Sequence, residues 1–150
     1  MKTEAEMLEA MRRFAPPTTA LLGMELLAVD QQAGSTRFRM KVEQRFCNPM
    51  GNLQGGIITT MLDDTAATSM IVKAGRKIAV PTVEFKVSFF APAPLGSVVE
   101  SVGRCVKLGK RIGFAEADLF DAAGKLLARL STSVVIVEMA GKPLLVEQGA

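Results

Sequence analysis

The sequence predicts an α+β domain in which one curved antiparallel sheet wraps around a single long helix. Three observations predict it. Gly55 and Gly56 open an apolar run to Lys73 that carries few charges on any side, the composition of a helix buried around most of its circumference. Two strand-like segments precede this run and four follow it, each bounded by Gly, Pro, Asn or Asp. The last four succeed one another across short turns, as in a meander, and such a sheet and helix bury each other's apolar faces.

In chain order, Met7, Leu8, Met11 and Phe14 recur at helical spacing, so Thr3 to Phe14 is expected as a short amphipathic helix stopped by Pro16 and Pro17. Thr18 to Gly23 can form one more turn. Met24 to Val29 and Thr36 to Val42 read as strands joined by a turn at Asp30 to Gly34. In the second of these, Phe38, Met40 and Val42 alternate with Arg37, Arg39 and Lys41, giving one buried face and one wet face. The long helix is expected from about Gly56 to Lys73, with Gly75 as its C-terminal cap. Strands are then expected over Ala79 to Phe90, Ser97 to Leu108, Arg111 to Phe120 and Lys125 to Val137, with a loose tail from Met139. At 150 residues and 49% hydrophobic content, the whole of 1–150 reads as one domain, with 1–20 as a helical extension and 139–150 as the tail.

Composition narrows the chemistry. The chain has no histidine, which removes Ser-His-Asp and Cys-His nucleophilic devices, histidine acid-base chemistry and most zinc sites, so no metal is expected. Catalysis must run on carboxylates, backbone dipoles, hydroxyls or lysine. Cys47 and Cys105 are too few and too distant to form a disulfide framework and are expected as buried free thiols. The net charge of +3 suits an anionic ligand but falls short of a nucleic-acid footprint, and without Trp or Tyr there is no obvious base-stacking platform. An acidic N-terminus and short apolar runs point to a cytoplasmic protein with no membrane partner.

The most informative stretch is Phe46 to Asp64, a loop feeding a helix that carries Asp63 and Asp64. Backbone amides in the first turn of a helix lack intrahelical acceptors and lie at its positive end, and glycines at 55 and 56 let a ligand approach them closely. The same Gly-Gly pair also simply permits a tight turn. Asp63 lies eight residues beyond Gly55, about 12 Å along a helix axis, so one small reacting group cannot touch both. If amide and acid serve one substrate, they come from two chains with antiparallel helices, which predicts a dimer with two equivalent sites. Asp63 and Asp64 are about 100° apart around the helix, and spacing alone does not choose between them.

The order Asn48, Gly51, Gln54, Gly55, Gly56, Leu62, Asp63 resembles the signature of hotdog-fold acyl-CoA thioesterases of the PaaI-like, phenylacetate-pathway group. The likeness continues through Thr82 to Gly96, with its Pro92-x-x-x-Gly96 turn, and through Gly109 to Arg111 and Asp121 to Ala128, covering roughly Leu21 to Val137. One departure stands out: that family's histidine before Gly-Gly is Gln54 here, whose amide can donate a hydrogen bond without titrating.

The resemblance implies the hotdog fold, a dimer or a dimer of dimers, and an acyl- or aryl-acyl-CoA thioester as substrate, with coenzyme A part of the substrate and no separate cofactor. It selects Asp63 as general base or nucleophile and Gly55 N–H as oxyanion donor. Asn48 and Gln54 stand in the loop beside it, and Thr82 matches a hydroxyl that positions water. Gly56 adjoins the substrate, and Lys107, Lys110 and Arg111 at a hairpin turn can meet the coenzyme's phosphates. Hotdog dehydratases and hydratases, which use histidine, are disfavoured. The alternative left open is a non-catalytic acyl-CoA-binding hotdog protein.

Overall fold

A computed structural model of the protein describes residues 3–141. Helix α1 (Glu4–Arg13) starts at a reciprocal cap, in which Thr3 accepts from the Glu6 N–H and Glu6 accepts from the Thr3 N–H. A short helix α2 (Pro17–Leu21) follows the two prolines, and then come strands β1 (Glu25–Asp30) and β2 (Ser35–Lys41). After a 3-10 turn at Gln44–Phe46 and a loop, α3 runs from Gly55 to Ala74, and Gly75 caps it in the left-handed region at φ 63°. The remaining strands are β3 (Ile78–Ala79), β4 (Thr82–Phe89), β5 (Val98–Leu108), β6 (Ile112–Asp121), β7 (Leu126–Val135) and β8 (Val137–Glu138).

Six strands form one antiparallel sheet in the order β1-β2-β5-β6-β7-β4, while β3 and β8 pair in a small separate ladder. The expected strand over 79–90 is therefore divided. Pro81 has no N–H for a ladder, its carbonyl accepts from Val135, and pairing restarts at Thr82. The same break divides the last expected strand at Ile136, whose N–H turns to the Arg111 carbonyl. Residues 142–150 of the expected tail lie outside the described residues. The two cysteines are free, as expected, but half-buried.

The sheet wraps α3 as expected. Met61, Leu62, Ala66, Met70 and Val72 are fully buried, and each large side chain so covered contributes about 1.5–3 kcal/mol. Polar groups fix the helix's height on the sheet. The Thr65 carbonyl accepts from Thr36, and the Thr65 and Ser101 hydroxyls share a 2.7 Å hydrogen bond. Gly103 makes this approach possible: a Cβ there would stand 2.4 Å from the Thr65 carbonyl oxygen. In contrast β4, an outer strand of the sheet, is exposed along most of its length and presents Val83, Phe85 and Phe89 to solvent. No helix among the described residues is long and apolar enough to cross a membrane.

Candidate active site

The loop before α3 is built by its own polar groups. The Asn48 side-chain oxygen accepts from the N–H groups of Met50 and Asn52, and its main chain bonds to Asn52 and Gly51. Leu53 is buried and donates its N–H to Ala93, and the Gln54 N–H goes to Phe46. Asn48 is therefore a loop-former first, with its oxygen already committed.

Gln54 is the N-cap of α3, and its side-chain oxygen accepts from the Ile57 N–H at 3.1 Å. With that oxygen held by the helix, the NH2 group has no acceptor among the described residues and keeps its donors for a ligand. The Gly55 and Gly56 N–H groups, as first-turn amides, have no intrahelical acceptor. Both positions are sterically tight. A Cβ on Gly56 would press to 2.8 Å from the capping oxygen, and one on Gly55 would stand 3.3 Å from the Phe89 ring. The glycines thus do both things their sequence allows: they permit the capped turn and leave first-turn amides without a hydrogen-bond partner among the described residues.

Asp63 lies two turns further on. The Thr82 hydroxyl donates to its Oδ1 at 3.3 Å. Burial pushes the Asp63 carboxyl above its ordinary value, and the Thr82 bond offsets part of that rise. Asp64 points elsewhere, accepting from the Thr18 hydroxyl at 2.5 Å; it too is raised by burial. The threonines one turn back bond helix carbonyls, Thr59 to Gly55 and Thr60 to Gly56, rather than either acid. Thr18 and Phe89 are participants that sequence reasoning did not single out.

Within one chain the structure brings Asp63 to Thr82 and leaves the amide end of α3 apart from them. Strand β4 marks the separation, with Thr82 at one end beside Asp63 and Phe89 at the other over Gly55. The basic turn is also not in contact with Asp63. Leu108, Gly113, Val134 and Thr82 form one row across β5, β6, β7 and β4, so exposed Lys107, Lys110 and Arg111 emerge at the Thr82 end of the sheet, about 14 Å away.

Comparison with known proteins decides the family. Residues 50–128 match the model of the thioesterase superfamily. The chain belongs to that superfamily, as a hotdog-fold, PaaI-like thioesterase. The thioesterase is 29% identical to human acyl-coenzyme A thioesterase 13 over 106 residues, 70% of this chain and 75% of that protein. A phenylacetic acid degradation-related protein from Ralstonia eutropha superposes with TM-score 0.76 at 28% identity, covering 86% of this chain and 98% of that one. PaaI from Escherichia coli shares the fold at TM-score 0.77 and 17% identity, over 86% and 89% of the two chains. As a member of this superfamily, the thioesterase is a thioester hydrolase.

Proposed function

We propose that the thioesterase hydrolyses acyl-CoA and that its sites are shared between two chains, Asp63 and Thr82 coming from one and Gly55, Gln54 and Asn48 from the other. The observation that carries this is the placement of a half-buried carboxylate with raised proton affinity about 12 Å along α3 from a helix start whose two glycine amides have no hydrogen-bond partner among the described residues. An antiparallel second α3 brings one chain's acid to the other's amide, twice. The exposed apolar edge of β4 supports such pairing, and its human relative is named for acyl-coenzyme A thioesters.

In this reading the carbonyl oxygen accepts from Gly55 N–H and the Gln54 amide, where donors aimed at developing charge act most strongly. Water forms the new C–O bond as its proton passes to Asp63, the C–S bond then breaks, and the coenzyme thiolate takes up the proton. A carboxyl with a raised pKa is suited to that proton transfer; direct attack by Asp63 would instead expel the thiolate and leave a mixed anhydride, whose hydrolysis at the Asp63 carbonyl would put label from H2¹⁸O into the protein in a single turnover. Asn48 holds the loop, Gly56 admits the substrate, and Lys107, Lys110 and Arg111 meet the coenzyme's phosphates. Exposed Val106, Ile112, Phe114 and Val135 support the pairing of dimers into a tetramer.

Thiol release from short, medium, long and aromatic acyl-CoAs tests the activity, and competition by free coenzyme A tests the carrier against acyl carrier protein. The shared site has its own test. Asp63→Asn removes the acid, and Gly55→Pro removes the N–H at a helix position that tolerates proline. Each variant alone is expected to be inactive, while the two refolded together should recover about a quarter of the parent activity, since half of the dimers then carry one intact site of two. No recovery would place both groups in one chain. Tight acyl-CoA binding without thiol release from any substrate would favour the non-catalytic alternative.

A further inference from the structure

Between Gly55 and Asp63 the same face of α3 carries one more residue. Gly55, Thr59 and Asp63 recur at intervals of four, so they form one strip along the helix, each step rising about 6 Å. Thr59 stands midway. Its hydroxyl donates to the Gly55 carbonyl at 2.8 Å, and it is half-buried where Ile58, Met61 and Leu62 beside it are buried.

The contacts at the two ends of the strip fix the direction in which it looks. Thr82, at one end of β4, touches Asp63, and Phe89, at the other end, lies over Gly55, so Thr59 faces across the middle of that strand. Thr82, Phe85 and Phe89 pair with Val134, Thr132 and Ala128, which alternate along β7, and therefore share the sheet face that carries α3. Phe85 is nevertheless 45% exposed, so its own chain leaves the apolar floor beside Thr59 uncovered. Beyond β4 the sheet ends. The other flank of α3 is occupied: Asp64, about 100° round the helix from Asp63, is held by Thr18 of α2. Thr60 is turned from Thr59 by the same angle and in the same sense, away from β4.

Two equivalent sites, each made from Gly55 of one chain and Asp63 of the other, constrain the pairing by symmetry. A two-fold axis that exchanges these residues between antiparallel helices passes opposite their midpoint, and only a residue on the axis meets its own copy. We infer that Thr59 is that residue: the two α3 helices cross there, over the floor to which each Phe85 contributes, and the small Thr59 side chain sets the spacing between each Gly55 N–H and the partner subunit's Asp63. This rests on the reading of the sites as shared between chains. Thr59 is thus a positioning residue, which touches no reacting atom and holds two half-sites at working distance.

A disulfide across the axis tests the crossing. Helices whose axes lie about 8–10 Å apart, with Cα atoms about 2.3 Å from each axis, bring facing Cα atoms within the disulfide reach of about 7 Å. In a Cys47→Ser Cys105→Ser background, Thr59→Cys is expected to link most chains into covalent dimers on oxidation with copper phenanthroline, read on non-reducing gels, while Thr60→Cys is not. Thr59→Leu adds bulk twice at one crossing and should lower kcat for the parent's best acyl-CoA about a hundredfold, the scale of a misplacement of about 1 Å, with KM little changed. Thr60→Leu should stay close to the parent in both. A folded Thr59→Leu protein with the parent kcat would overturn the assignment, as would a bond from Thr60→Cys in place of Thr59→Cys, or from neither. Refolding Asp63→Asn together with Gly55→Pro separates this from the shared-site reading. Recovered activity there, with no bond from Thr59→Cys, removes Thr59 from the axis and leaves the shared sites standing. An efficient Thr59→Cys bond with no recovery keeps the crossing and overturns the shared sites.

Discussion

Asp63 and Asp118 are both shielded carboxylates, and the protein treats them in opposite ways. Asp118, on the face of the sheet turned away from α3, is covered by two arginines: Arg129 bonds it at 2.6 and 2.9 Å and Arg104 at 3.1 Å. Burial alone would raise its pKa, but the hydrogen bonds and charges of Arg129 and Arg104 outweigh that and hold it below the ordinary carboxylate range. Asp63, beside the helix, receives one hydroxyl from Thr82 and no cation among the described residues, and its proton affinity is raised. The first is an anion kept as an anion, which suits a structural tie. The second sits closer to gaining a proton, which suits chemistry.

Replacing each in turn should separate these roles. The largest effect expected is on turnover: Asp63→Asn should lower kcat for a good acyl-CoA substrate by about 10³-fold, within the range for a lost general base, with the fold intact by circular dichroism. Asp118→Asn should leave Asp63 chemistry in place but cost about 2 kcal/mol in urea unfolding, because two guanidinium groups lose their shared anion. That loss should shrink on acidification, since a depressed pKa contributes stability above the unfolded value and loses it as pH falls through the folded one.

A smaller effect is expected at Thr82→Val. Its hydrogen bond lowers the Asp63 pKa, so its removal should move the acid limb of kcat/KM to higher pH and reduce the rate at fixed mildly acidic pH by less than tenfold. The smallest runs in the opposite direction. The raised Asp63 pKa contributes stability at low pH that is lost as pH rises through it, so Asp63→Asn should melt slightly above the parent at neutral pH, with the gap closing in acid. A stability loss there instead would make Asp63 a structural carboxylate like Asp118.

Asp118 also shows where sequence reading stops. The buried-helix composition around Met61 to Met70, the alternation in β2 and the glycine at the end of α3 are local patterns, and all were legible. Helix α3 and its cap at Gly75 fell within a residue of expectation. Spacing alone left Asp63 and Asp64 open and the family resemblance selected Asp63; the structure turns the two in different directions. What could not be read were pairings across the sheet or between distant segments. Arg104 and Arg129 reach Asp118 from neighbouring strands, Thr18 reaches Asp64 across 46 positions, and Phe89 covers Gly55 from the far end of β4. None of these leaves a periodic trace, because register and crossing, not composition, bring the partners together. The division of the long strand at Pro81 had a local signal in the proline itself, outweighed by the apolar alternation on both sides.

Gln54 has a consequence for how the helix start behaves in changing surroundings. A histidine at this position would gain charge over the physiological pH range. The amide has no proton to exchange, so the cap on α3 and the polarity of its first turn stay the same from mildly acidic to alkaline solution. The end of the helix that offers its amides is thereby insulated from pH, and the response to acidity lies two turns away, in two adjacent carboxyl groups and the hydroxyls that touch them.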